Sequence, residues 1–528
     1  MNRPSDTCPQ SLRWIATLVT AVGFLIAAEA LAQEPPRKPD AAPARLPAAE
    51  EHWYVVKLQD QKCGYMHVEI KPVGEEVHTR STMSIQISRG PTKLKITVDQ
   101  QFMETRDGRP LGFRQVMQLG EQPMTIEGTI RKGRLHLVRD QFNGRQEDTY
   151  DFDPEIKFAW GLNLEQLKHG LEPGTTFRVK SYDPTLKVDA PFEVELKVDG
   201  KESQTLPDGA KRKLTKVTST ILMQTPISTV SWLDDNANPV VMDFNVGGFM
   251  IHVLAATKEQ ALAGDGAPEL FLNTFVEVNK RIPAEAKSVQ LHLRLPKPKQ
   301  GEVGANLRMP DLPNTSAQSV RRVNDHEAII TIRRLDWEAL RKIEDAPVTD
   351  KTLKEHLRAS PIVDIDDKRI KRHARKAVKG ADTPAEKADA LRRYVTDFVE
   401  TKNMDVGFAS ASEVIRNRKG DCSEHAVLLA ALARAAGLPA RGVSGIVQIP
   451  AGAMGTGKGA AFGYHMWTQV NIGGQWVDID AALRQTDCDV THVALAIMPL
   501  NDEGLGESMI SILPMLGRLQ IEIKNLEE

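Results

Sequence analysis

The hydrophobic period changes once along this chain, and that change limits what it can fold into. From His52 to about Leu262, apolar residues tend to recur at every second position. Phe192, Val194, Leu196 and Val198 alternate with charged residues, and Leu94, Ile96 and Val98 alternate likewise. Leu111 to Leu119 and Val217 to Met223 follow the scheme less cleanly. A period of two puts successive side chains on opposite faces of a strand, so residues 51–265 predict a large antiparallel β domain. Asp199-Gly200 closes one of these runs and reads as a hairpin turn. Residues 266–345 predict a smaller β unit, with strands around Leu291, Leu293 and Leu295 and from Ala328 to Ile332. Pro296, Pro298, Pro310 and Pro313 punctuate its loops.

From about residue 350 the spacing becomes helical. Ile370, Ala374, Ala377 and Val378 share a stripe within Asp364 to Lys379. Thr383-Pro384-x-Glu386 is a capping box with Pro at the first helical position. The helix it opens places Ala388, Leu391, Val395, Phe398 and Val399 on one stripe. Ser412 to Asn417 predicts a short helix. The fold class is therefore α+β, with β domains leading into a mixed domain over 346–500 and a C-terminal strand or tail over 501–528. A length of 528 residues accommodates such a series of domains.

Composition excludes several classes. Lys plus Arg total 68 against 70 for Asp plus Glu, a balance unlike the basic excess of a general nucleic-acid binder. Four cysteines, Cys8, Cys63, Cys422 and Cys488, cannot build a disulfide-rich scaffold in a chain this long. Residues 1–32 read as a secretory signal: Arg3 and Arg13 lead an apolar run from Trp14 to Ala28, and Ala30-Leu31-Ala32 fits a cleavage site. The alternative is an uncleaved anchor. Cleavage after Ala32 predicts a periplasmic or secreted protein and leaves three cysteines, so at least one has no partner within the chain. Residues 33–50 are Pro/Ala-rich and read as a linker.

The chemistry concentrates after Gly420. Asp421-Cys422-Ser423-Glu424 reads as a capping box whose first helical residue is a cysteine. Unpaired N–H groups and the positive end of the macrodipole favour a thiolate at such a place. The helix runs to Gly437, and Ala440 to Ile449 predicts a strand. Glycines at 452, 455, 457, 459 and 463 form a loop read either as a mobile lid or as plain linkage. Tyr464 to Val470 predicts a strand that begins with His465, and Trp476 to Asp480 a third that ends in a carboxylate. A tight turn between them brings His465 near Asp480, and the helix can deliver Cys422 to the imidazole. A thiol, a base and an orienting carboxylate in that order suit nucleophilic acyl transfer.

On these residues, about 350 to 500 resembles a transglutaminase-like domain of the bacterial, protease-like type. The matching stretches are Gly420 to Ala426, Ala433 to Arg441, His465-Met466-Trp467 and Trp476-Val477-x-Ile479-Asp480. The resemblance implies a papain-like core, with Cys422 as nucleophile, His465 as general base and acid, and Asp480 as orienter. The family usually has Pro after the aspartate, where this chain has Ala481. The resemblance implies an exported thiol enzyme acting on amide bonds of a protein or peptide substrate, most often as a peptidase or amidase. The alternatives are a protein-glutamine transamidase and a catalytically silent cell-envelope scaffold. No cofactor or metal is expected.

Other residues compete for these roles. Asp478 shares a strand face with Asp480, so alternation alone does not separate them. His425, three residues after Cys422, is expected to support the helix rather than act as base. Gln469 or the Cys422 N–H could hold an oxyanion. Trp467 and Trp476 could be core or pocket wall. Cys422, His465, Cys488 and His492 offer zinc-ligand types without zinc-site spacing, and Cys488 and His492 are expected in a loop and at a strand start. No Asp-x-Asp-x-Asp-Gly calcium loop occurs.

Overall fold

The architecture comes from a computed structural model. It describes residues 48–528 except 90–91, 119–122, 142–143, 184–185, 187–189, 207–208, 224–225, 236, 247, 265, 270–271, 298–307, 401–408, 450–459 and 502–510. The expected signal segment, most of the Pro/Ala-rich linker and most of the glycine loop lie outside the described residues. Among those described, no helix is long and apolar enough to cross a membrane.

The period-two region forms a 14-stranded antiparallel sheet between Glu50 and Ala256. Its first strand, Glu50–Leu58, pairs with its last, Phe249–Ala256, with Leu58 opposite Ile251. Two chain-ordered meanders therefore meet in the middle, and the edges are Gly144–Asp151 and Thr176–Ser181. Between these edges in sequence lies the helix Ala159–His169. Its first turn is capped from afar: Glu104 accepts from Trp160 N at 2.7 Å and Gly161 N at 2.9 Å. Burial pushes the Glu104 carboxyl up to about 8, outweighing those two bonds.

Asp199-Gly200 is not a hairpin. Phe192–Thr205 is one strand, and its register against Lys211–Leu222 shifts between Val198 and Gly200. The extra residue makes a bulge, with Gly200 at φ +125°, where a side chain is disfavoured. Asp199 instead accepts from Thr218 Oγ1 at 2.6 Å.

The small β unit is a four-stranded sheet ordered Gln318–Asn324, Glu327–Arg333, Ser288–Arg294, Gln520–Glu527. The C-terminal strand thus belongs to this sheet, pairing Ile521 with Leu293 and Ile523 with Leu291. Val276–Val278, from the same part of the sequence, joins the mixed domain instead. That domain has a five-stranded sheet. Ala460–Ile472 pairs with Ala440–Ile449 on one side, and with Val276–Val278 and Gln475–Ile479 at opposite ends of the other. Val493–Met498 adds to Ala440–Ile449.

Helices Lys368–Ala377, Pro384–Phe398 and Ala411–Asn417 pack round Cys422–Ala435, which is buried from Cys422 to Arg434. The Thr383–Glu386 capping box forms as the sequence predicts. Even Arg434 is buried, because its guanidinium donates to the carbonyls of Ala440, Arg358 and Pro499. The whole is α+β, with large antiparallel sheets leading into a helix-and-sheet domain.

Candidate active site

Cys422 is the first residue of its helix and is buried. The preceding Asp421 accepts from Ser423 N at 3.0 Å and Ser423 Oγ at 2.8 Å. Glu424 answers from inside the helix, accepting from Asp421 N at 2.9 Å and Ala409 N at 3.1 Å. Gly420 permits this closure: a Cβ there would lie 2.2 Å from Glu424 Cβ. His425 Nδ1 donates to the Asp421 carbonyl at 2.6 Å, so this imidazole braces the helix start.

His465 and Asp480 meet across neighbouring strands. Thr468 pairs with Ile479, so Asp480 lies just past the last pair and reaches diagonally to His465. His465 Nε2 donates to Asp480 Oδ2 at 2.6 Å, and both side chains are only 1% exposed. Burial pulls the imidazole pKa down, but Asp480 outweighs it and, with Cys422 also acting on the ring, raises it to about 9. Burial likewise pushes the Asp480 carboxyl up, and His465 outweighs that, holding it well below the usual range. With Nε2 committed, Nδ1 is the nitrogen left for the thiol. It is buried, and Cys422 is the group besides Asp480 that acts on this ring.

The two carboxylates of the Gln475–Asp480 segment share a face and divide the work. Asp478 Oδ1 accepts from Trp467 Nε1 at 2.7 Å and Gln469 Nε2 at 2.8 Å. Trp467 lies nearly parallel to the His465 ring, centroids 6.2 Å apart, and is buried with Val443, Val447 and Ala494. Gln469 is held between Asp478 and Arg441, whose Nε donates to its Oε1 at 2.9 Å. It also sits four residues along the strand from His465, about 13 Å at the usual rise, so the structure does not support it as an oxyanion donor. Trp476 packs beneath Arg441, 4.0 Å from its ring centroid.

One residue at the site, which the sequence offers only as a zinc-ligand type at a strand start, stands just before Val493–Met498 and takes another place. His492 Nε2 lies 3.2 Å from Asp480 Oδ2, the oxygen that also receives His465. It arrives through the loop that follows Asp480, where no periodicity points inward. Cys488 adjoins it, and burial pushes that thiol up to about 12 against the pull of His492. None of Cys63, Cys422 and Cys488 is joined in a disulfide. Among the described residues no cluster of His, Cys, Asp or Glu is arranged to hold a metal.

A family model described as the transglutaminase-like superfamily core matches residues 371–481. No curated protein matches the chain. Three solved structures bear a distant likeness. One is a candidate cysteine protease from Cytophaga hutchinsonii, 16% identical, covering 46% of this chain and 89% of its own, with a TM-score of 0.29. Another is a beta-barrel-like protein of a domain of unknown function from Brucella abortus, 13% identical, covering 40% and 96%, with a TM-score of 0.31. The periplasmic domain of TgpA from Pseudomonas aeruginosa, bound to ethylmercury, is 13% identical and covers 39% and 77%, with a TM-score of 0.25. The stretch that opens in the Lys368–Ala377 helix and closes just after Asp480 is a transglutaminase-like superfamily domain.

Proposed function

We propose that the chain is an exported thiol enzyme that cleaves amide bonds of a peptide or protein through an acyl-enzyme. The observation that carries this is the buried His465–Asp480 pair, with Cys422 at a helix start acting on the same imidazole. Nδ1 takes the Cys422 proton, and Sγ attacks the amide carbon to form a C–S bond. The C–N bond breaks as the amine leaves with the proton from the imidazolium. Water, deprotonated by the same imidazole, then cleaves the thioester to a carboxylic acid and restores the thiol. Export rests on the apolar run Trp14 to Ala28 and the Ala30-Leu31-Ala32 site.

The test is incubation with a peptide library and, separately, with peptides plus a primary amine, read by mass. Cleavage that stops in Cys422→Ala supports the proposal. Amine adducts without cleavage would make the chain a transamidase. Neither product, with Cys422→Ala behaving as the parent in every assay, would make it a scaffold.

A further inference from the structure

The site holds one more buried ionisable ring than a thiol, a base and an orienter require. His492 has a carboxylate near each nitrogen: Nε2 donates to Asp480 Oδ2 at 3.2 Å, and Nδ1 lies 3.4 Å from Asp489 Oδ1, close enough for an ion pair though not aligned for a hydrogen bond. A neutral imidazole would turn a lone pair toward one of them, so this setting favours the doubly protonated cation. Burial opposes that charge and Asp480 and Asp489 favour it, whereas Cys488, whose thiol is pushed up to about 12, carries no negative charge near neutral pH.

The surroundings hold the ring and both its partners in place. Asp489 accepts from Thr491 N at 2.9 Å, Thr491 Oγ1 at 2.6 Å and Gln485 Nε2 at 2.9 Å. Asp480 Oδ1 accepts from Leu483 N at 2.8 Å. Trp467 stands edge-on to His492, centroids 5.1 Å apart, and the His465 ring lies at 6.4 Å. The other charged groups around the ring are Asp478, bonded to Trp467 and Gln469, and Arg333 and Asp487, which line the same small cavity. Asp487 is itself paired with Arg334 at 2.9 Å. The cavity, about 20 Å³, has room for roughly one water.

We infer that His492 is a positioning residue: as a cation on the far side of Asp480 it fixes that carboxylate and sets the pH range in which Cys422 and His465 form a charged pair. The inference rests on the thiol chemistry proposed above. Asp480 Oδ2 serves two rings at once, so positive charge on one moderates its pull on the other. Without the His492 charge, two buried carboxylates face the pair with less compensation. The local potential becomes more negative, the thiolate is disfavoured, and the thiol ionises at higher pH.

The experiment is iodoacetamide alkylation of Cys422 in the full chain, followed by mass from pH 4 to 9, in the parent, His492→Gln and His492→Phe. Both variants lack the charge, and Gln can still donate to Asp480. The acid limb of the rate profile moves up by about half a pH unit or more in both, and Gln retains more of the plateau rate than Phe. If His492→Phe does not fold, His492→Gln alone gives the limb shift. A depressed parent limb that the folded variants leave in place overturns this inference alone. A parent limb at the ordinary thiol value of about 8.5 overturns the nucleophile reading and this inference with it.

Discussion

Asp480 is the residue on which the site turns, because one of its oxygens orients both imidazoles. Asp480→Ala leaves two buried rings without their shared acceptor. Alkylation of Cys422 at pH 7 should fall by about 100-fold or more, since His465 loses the bond that fixes its tautomer. An unchanged rate would remove Asp480 from the mechanism. The same pair makes stability depend on pH. The His465 pKa is raised to about 9, so its contribution is complete below its unfolded value of about 6.5 and fades as pH climbs through 9. The Asp480 pKa is depressed, so its contribution is complete above about 4 and fades as pH falls below that. The urea midpoint of the parent should therefore drop between pH 6.5 and 9.5 by more than that of His465→Gln. Equal slopes would mean that the ion pair adds nothing to stability.

At the scale of elements, the strand and helix order around the site is legible in the sequence for a physical reason. Asp421 to Glu424 is a local capping pattern, complete within four residues, and needs no tertiary contact to be recognised. The predicted strand Ala440 to Ile449 has the observed bounds, and in the sequence a proline stands on each side, Pro439 and Pro450. His492 is different: its partner lies 12 residues back across an irregular loop, and no spacing rule links the two. The Asp199-Gly200 misreading has a related cause. A turn dipeptide does not reveal whether its neighbour on the next strand lies before or after it, and here the strand runs on. Asp478 and Asp480 stay ambiguous until the pairing register assigns one to Trp467 and the other to His465. The sheet also explains a glycine. Gly445 pairs directly with His465, and a Cβ there would meet Val493 O at 2.2 Å and the Trp467 ring at 2.5 Å. Gly445→Ala should cost about 1–3 kcal/mol in urea unfolding. A variant as stable as the parent would show that this contact is loose.

At the scale of the molecule, the three sheets are joined by contacts far apart in sequence. Gly248 N donates to Leu516 O at 2.6 Å, tying the 14-stranded sheet to the segment before the last strand. Gln318, in the small sheet, bonds both ways with the backbone of Ala494 in the mixed domain. Deleting residues 519–528 removes the strand that covers one side of Ser288–Arg294 and leaves Val289, Leu291 and Leu293 without their neighbours Leu526, Ile523 and Ile521. Limited proteolysis of that deletion should cut between 279 and 345 well before it cuts the 14-stranded sheet. Equal resistance to the parent would mean that the small sheet stands on three strands. The placement of that last strand also orders events in time. A chain emerging from its N-terminus can complete the large sheet early, while Ser288–Arg294, already paired on one side with Glu327–Arg333, waits more than 220 residues for the strand on its other side. Ile332, which lines the cavity behind His492, lies on the neighbouring strand Glu327–Arg333, opposite Val289. The wall behind the candidate site thus rests on a sheet whose fourth strand, Gln520–Glu527, is made after Cys422, His465, Asp480 and His492.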